Sequence, residues 1–75
     1  MAERILIVED EPAVARGLQY ALERERFEVL LAGTAREGIE MALQQAPDLI
    51  ILDIRLPDGS GFVVCRELRR TLRQP

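Results

Sequence analysis

Apolar and polar positions along the chain fall into short apolar runs separated by longer amphipathic stretches. Ile5-Leu6-Ile7-Val8 is a compact, largely β-branched run and predicts a first strand. Pro12 stands where a first helical turn would begin, a position that suits proline because the missing N–H has no intrahelical partner there. Val14, Leu18, Ala21 and Leu22 follow at three- and four-residue spacing and predict a core-facing stripe on a helix from about residue 12 to 24. Residues 27–32 read as a second strand, closed by Gly33. Thr34-Ala35-Arg36-Glu37 is a capping-box pattern, and the helix it opens carries Ala35, Ile39, Ala42, Leu43 and Ala46 on one face until Pro47 ends it. Residues 48–54 predict a third strand. Its Leu49-Ile50-Ile51-Leu52 run has no polar alternation, which predicts burial on both faces between helices. Pro57-Asp58-Gly59-Ser60-Gly61 is a dense loop signal. A third helix is expected over about 60–71, with Gly61, Val64, Cys65, Leu68 and Leu72 on one face. The order is βαβαβα with short connections, so the expected fold is α/β, a parallel sheet joined by right-handed helical crossovers.

Composition narrows the functions open to such a sheet. The chain has 75 residues, of which 48% are hydrophobic and 31% charged, a mixture that folds rather than staying disordered. That length allows one small domain, and at about this size only ~60% of the unfolded surface is buried on folding. The one cysteine, Cys65, cannot form an intrachain disulfide and reads as a small buried apolar residue. No apolar stretch approaches the ~20 residues of a membrane span, and none of signal-peptide length follows the first four residues, so a cytoplasmic protein without membrane contact is expected. There is no histidine and no lysine; all 10 basic residues are arginine. Histidine-based acid–base or metal chemistry and lysine-based Schiff-base or phosphate-clamping chemistry are thus excluded within these residues. The net charge of -3 argues against direct nucleic-acid contact by this segment. Arg66, Arg69, Arg70 and Arg73 read as a solvated helix face near the negative end of a helix dipole.

Parallel sheets collect function at the carboxyl ends of their strands. The first strand ends in Glu9-Asp10, followed by Glu11, and the third ends in Asp53. If those strands are neighbours, Glu9, Asp10 and Asp53 converge. Two unit charges ~4 Å apart repel by ~4 kcal/mol at an effective dielectric of ~20, so such a cluster is not built for stability. A hard divalent cation resolves the repulsion, and Mg²⁺ takes one or two carboxylates, waters and a phosphate oxygen. The other reading is that these acids are solvated strand ends or helix caps, and Glu11 reads as a partner of the helix dipole. A phosphohydrolase of the haloacid dehalogenase kind needs Asp-x-Asp, and Arg55 occupies the second position. Neither GxGxxG nor GxxxxGK occurs, so nucleotide binding has little support.

Three segments carry a resemblance that covers the whole chain without a gap. They are Ile5-Leu6-Ile7-Val8-Glu9-Asp10-Glu11-Pro12, Pro47-Asp48-Leu49-Ile50-Ile51-Leu52-Asp53 and Leu56-Pro57-Asp58-Gly59-Ser60-Gly61-Phe62. In type and spacing they resemble the receiver domain of two-component response regulators. The resemblance implies a flavodoxin-like receiver fold with sheet order 2-1-3 over the first three strand–helix units. It implies that Asp53 is the phosphoacceptor, taking a phosphoryl group from a sensor histidine kinase. Glu9 and Asp10 would hold Mg²⁺, Asp10 directly and Glu9 through water, with Asp53 and the backbone carbonyl of Arg55 as further ligands. Pro57 and Gly59 would shape the loop. Such a module is a signalling acceptor rather than an enzyme.

Glu9-Asp10 stands where many members have Asp-Asp, and Glu9-Asp10-Glu11-Pro12 looks most like the branch whose full-length members carry a winged-helix DNA-binding domain. The family's fourth and fifth strand–helix units have no counterpart in these residues. Neither the switch serine or threonine nor the lysine of those units has a candidate. Residues 1–75 are therefore expected to be a partial receiver domain, the N-terminal part of a longer protein. Taken alone, the chain is not expected to switch on phosphorylation, and an interaction module is the alternative function. A third strand left without its outer neighbour predicts a homo-oligomer paired through that edge.

Overall fold

The computed structural model describes residues 3–53 and 55–72. The strands are β1 (Arg4–Val8), β2 (Glu28–Ala32) and β3 (Leu49–Leu52), with α1 (Pro12–Arg24) and α2 (Ala35–Gln45) between them. A small ribbon follows, β4 (Arg55–Leu56) and β5 (Gly59–Ser60), and then α3 (Gly61–Leu72). β1 is central, flanked by β2 and β3 in the order β2-β1-β3, and both pairings are parallel. Val8 lies level with Ala32 on one side and Leu52 on the other. Two further bonds carry the ladders one residue beyond that level: Glu9 donates its N–H to the Ala32 carbonyl at 2.9 Å, and Asp53 donates to that of Val8 at 3.0 Å.

Strand alternation sends Leu6, Val8, Leu30, Ala32, Ile50 and Leu52 to one face. There they pack with Ala35, Ile39, Met41 and Ala42 of α2, Val64 and Leu68 of α3, and Leu56 of the ribbon. Ile5 and Ile7 are buried on the opposite face, outside that cluster, where α1 packs. α2 approaches β1 closely at Gly38, where a Cβ would fall 2.8 Å from Val8 Cγ2.

Helix ends follow local chemistry. Pro12 is in the first turn of α1 as expected. Its C-terminus closes as a Schellman motif, with Phe27 donating to the Leu22 carbonyl, Arg26 to that of Glu23, and Arg26 at φ 71. Thr34 caps α2 by accepting from the Glu37 amide at 3.1 Å, while Glu37 Oε1 reaches back to the Gly33 amide at 3.1 Å. α2 ends with Ala46 in the left-handed region at φ 47, immediately before Pro47.

Several expectations need correction. The third strand is shorter than 48–54, and it is not buried on both faces. Leu49 is 54% exposed and the rest of β3 is half-buried, because among the described residues the helices pack chiefly against β1 and β2 and little against β3. The second strand begins at Glu28 rather than residue 27, and α3 runs one residue later at both ends. On α1 the buried residue is Ala15, whereas Val14 is 42% exposed and Ala21 is exposed. On α2 Leu43 is exposed and Gly38 takes the inward position, while Ala46 lies past the last helical residue and is exposed. Cys65 is half-buried rather than buried. The loop expected at 57–61 is an antiparallel ribbon turning at Pro57-Asp58, anchored by buried Leu56. Arg66 and Arg69 are exposed as expected; Arg73, the Arg70 and Leu72 side chains, and Ile54 lie outside the described residues.

Candidate cation and phosphoryl site at the carboxyl edge of the sheet

The register described above puts Glu9 and Asp10 beside Asp53. One carboxylate oxygen from each lies within 4.8 Å of the others. Asp10 is exposed, and Glu9 and Asp53 are half-buried. Each of the two half-buried carboxylates is held by the backbone that follows it. Glu9 Oε2 accepts from the Glu11 amide at 3.1 Å, and Asp53 Oδ1 accepts from the Arg55 amide at 3.1 Å. Glu9 thus occupies the open N-terminus of α1, where Glu11 is the N-cap residue but makes no side-chain capping bond.

The Glu11 amide favours the Glu9 carboxylate and is the largest single influence on it. Burial, the Asp53 charge and hydrogen bonding with Asp53 and Asp10 act together in the other direction and prevail, so the Glu9 carboxyl titrates above its ordinary value. The protein thus holds three acids close together against their mutual repulsion. All donors are hard oxygens, partly exposed to water, and among the described residues neither ion pair, Arg4–Glu28 or Arg36–Glu40, involves them. That donor set fits a hard cation such as Mg²⁺ and does not suit a soft metal. The Arg55 side chain is exposed.

A fourth acid organises the loop from its far end. Asp58, at the turn of the ribbon, accepts from the Ala35 amide at 2.7 Å through Oδ1 and from the Arg36 amide at 3.0 Å through Oδ2. These bonds, that to Ala35 first, hold the Asp58 carboxyl below its ordinary value. Sequence reading registered Asp58 as a turn residue within a motif and missed this role. Its only local signal is an aspartate between Pro57 and Gly59, and the partners lie 23 and 22 residues away. Among the described residues no helix is long and apolar enough to cross a membrane.

A β2-β1-β3 parallel sheet with acids gathered at its carboxyl edge defines an α/β, flavodoxin-like receiver fold. The chain belongs to the response regulator receiver domain family, the receiver module of two-component systems, whose profile matches residues 5–75. It is similar to the transcriptional regulatory protein AfsQ1 of Streptomyces coelicolor, with 39% identity over 71 residues, 95% of this chain and 32% of that protein. It is also similar to the alkaline phosphatase synthesis transcriptional regulatory protein PhoP of Bacillus subtilis, with 41% identity over 70 residues, 93% of this chain and 29% of that protein. The chain thus spans about a third of the length of these relatives.

Among solved structures it resembles the response regulator protein TrrA of Thermotoga maritima in complex with Mg²⁺ and beryllium fluoride. The TM-score is 0.91 at 35% identity, covering 95% of this chain and 62% of that one. The non-phosphorylated receiver domain of HemR from Leptospira biflexa gives 0.89 at 35% identity, covering 96% and 58%.

Proposed function

We propose that Asp53 accepts a phosphoryl group from a sensor histidine kinase in the cytoplasm. In this reading Mg²⁺ is held by the Glu9, Asp10 and Asp53 carboxylates and the Arg55 backbone carbonyl. The convergence of three carboxylate oxygens within 4.8 Å at the end of β1 and β3 carries this reading. An Asp53 carboxylate oxygen forms a bond to phosphorus as the bond to the donor's histidine nitrogen breaks. The nitrogen keeps the electron pair, and the product on this chain is an acyl phosphate. The Arg55 amide fixes the Asp53 carboxylate by a 3.1 Å hydrogen bond, so the acceptor is oriented before the donor arrives. When bound, Mg²⁺ supplies the positive charge that offsets the acids and the incoming phosphoryl oxygens. The chain is thus the acceptor of a transfer rather than an enzyme.

The acyl phosphate carries about -1.5 to -2 charge where the free carboxylate carried a single negative charge, a change that biases a signalling surface and, through it, a DNA-binding output domain. The resemblance to AfsQ1 and PhoP supports a transcriptional output. The test is transfer from a purified, histidine-phosphorylated sensor kinase. The chain should take up label, and Asp53→Asn should not; labelling of Asp53→Asn at the parent level would end the assignment.

A second reading concerns association. The outer edge of β3 has no strand neighbour among the described residues, 49–52 contains neither proline nor a charge, and Leu49 is 54% exposed. An edge of that kind pairs readily, so in a preparation of these 75 residues by themselves we infer pairing with a second copy. Sedimentation at micromolar concentration should show a dimer. A monomer that Leu49→Lys does not alter would contradict it.

A further inference from the structure

We propose that Asp58 is a positioning residue for the cation site, acting through the ribbon β4–β5; the inference rests on reading Glu9, Asp10 and Asp53 as a Mg²⁺ site. The loop after Asp53 has two ends that matter. At its root, the Arg55 amide holds Asp53 Oδ1 at 3.1 Å, and Arg55 is also the residue whose carbonyl is assigned to the metal. At its tip, Asp58 spans the first two amides of α2, Ala35 at 2.7 Å and Arg36 at 3.0 Å.

Between root and tip the segment has little freedom. Arg55 pairs with Ser60 and Leu56 with Gly59, and Leu56 is buried in the core shared with α2 and α3. A Cβ added at Gly59 would sit 3.7 Å from the Ala35 Cβ, so the tip lies directly against the first turn of α2. Two backbone amides donating to one carboxylate fix both distance and orientation, and a charged acceptor makes the bonds stronger than neutral ones. The site is therefore braced against an element that contributes no ligand to it.

The N-terminus of α2 already has a cap of its own. Thr34 Oγ1 takes the Glu37 amide and Glu37 takes the Gly33 amide, whereas Asp58 takes the amides of Ala35 and Arg36. The two sets of bonds share no donor. Removing Thr34's hydroxyl weakens the helix end and leaves the loop tethered; removing Asp58's carboxylate frees the loop and leaves the Thr34 cap in place. That separation distinguishes positioning from general stability.

The experiment titrates Mg²⁺ into the 75-residue chain, following the amide signals of Asp10 and Asp53, with amide hydrogen exchange at Ala35 and Arg36 as a second readout. Asp58→Ala should weaken Mg²⁺ binding by about 10-fold, as loss of an outer support of a metal site typically does, and should speed exchange at Ala35 and Arg36. Asp58→Asn, which keeps one acceptor oxygen, should fall between parent and Asp58→Ala, and it carries the comparison if Asp58→Ala does not fold. Thr34→Ala should lower the melting temperature while leaving Mg²⁺ affinity within twofold of the parent, roughly what loss of a remote cap implies. A site response that the Asp58 variants leave intact overturns the inference, as does an equal loss in Thr34→Ala. No response at Asp10 and Asp53 in the parent overturns the cation-site reading and the inference with it.

Discussion

Gly38→Ala should destabilise the chain, although alanine is the better helix former. Position 38 lies inside α2, where replacing glycine normally gains ~1 kcal/mol. Here the added Cβ would meet Val8 Cγ2 at 2.8 Å and Cγ1 at 3.0 Å. Carbon atoms rest ~3.5–4.0 Å apart, so relief requires about 0.7 Å or more of movement. Rotating Val8 does not provide it, because both methyl groups are in the way and a β-branched residue on a strand has little freedom at χ1. Val8 is 1% exposed on the central strand, so the movement falls on α2, which carries Ala35 and Ala42 into the core. Overpacking of this kind costs ~1–3 kcal/mol, and two simultaneous contacts place it toward the upper end. The net loss, after the helix gain, is about 1–2 kcal/mol against a total of roughly 4–11 kcal/mol at the usual stability per residue. Urea unfolding followed by far-UV circular dichroism should show the midpoint falling by about 1–2 M, for a slope of ~1 kcal/mol per M. In a Val8→Ala background both methyls are gone and the remaining contact, to the position-8 Cβ, is an ordinary 3.5 Å. Gly38→Ala should there be neutral or stabilising, a coupling of at least ~1 kcal/mol. A rise in the midpoint on the parent background, or an equal fall on both, would show that the Val8 methyl groups are not what opposes a side chain at position 38.

Ala46→Gly should stabilise by about 0.5–1 kcal/mol in the same assay, because a left-handed alanine costs ~1–2 kcal/mol and glycine returns part of that as unfolded-state entropy. In the absence of divalent cations, Glu9 and Asp58 should shape the acid side of the stability curve in opposite senses. The Glu9 carboxyl is raised above 4.5 in the folded chain, so its contribution is full below 4.5 and lost as pH rises through the folded value. Glu9→Gln should therefore melt higher than the parent at pH near 7, with the difference vanishing as pH falls below that of a free glutamate; an unchanged gap at low pH would contradict this. The Asp58 carboxyl is held below 3.8, so its contribution is present above 3.8 and lost as pH falls through the folded value. Asp58→Asn should flatten the most acidic part of the melting curve, and a parent-like slope there would count against the tether.

What could be read in the sequence was whatever local chemistry decides. Pro12 marks the start of α1, and Thr34 with Glu37 marks that of α2. The acids of the site were legible because each directly follows an apolar run, and a parallel sheet gathers strand ends at one edge. The inward face of each helix was less so. On α1 the small Ala15 turns in while Val14, one position away, turns out, because rotation of the helix is set by the sheet it lies on. Gly38 was invisible to an apolar stripe, since its role is to be absent at the point of contact with Val8. The ribbon β4–β5 has two residues per strand, too few for a period of two to register. The Asp58 tether joins residues 23 apart, so only the folded chain shows it.

Phosphoryl acceptance at Asp53 is tested most directly by intact-mass spectrometry of the chain after incubation with a small acyl phosphate, with and without Mg²⁺. The chain should gain one phosphoryl group, formed with Mg²⁺ and not after chelation, removed by hydroxylamine and absent from Asp53→Asn. An adduct on Asp53→Asn, or one on the parent that forms equally well without Mg²⁺, would contradict the assignment of Glu9, Asp10 and Asp53 to a single cation-dependent phosphoacceptor site.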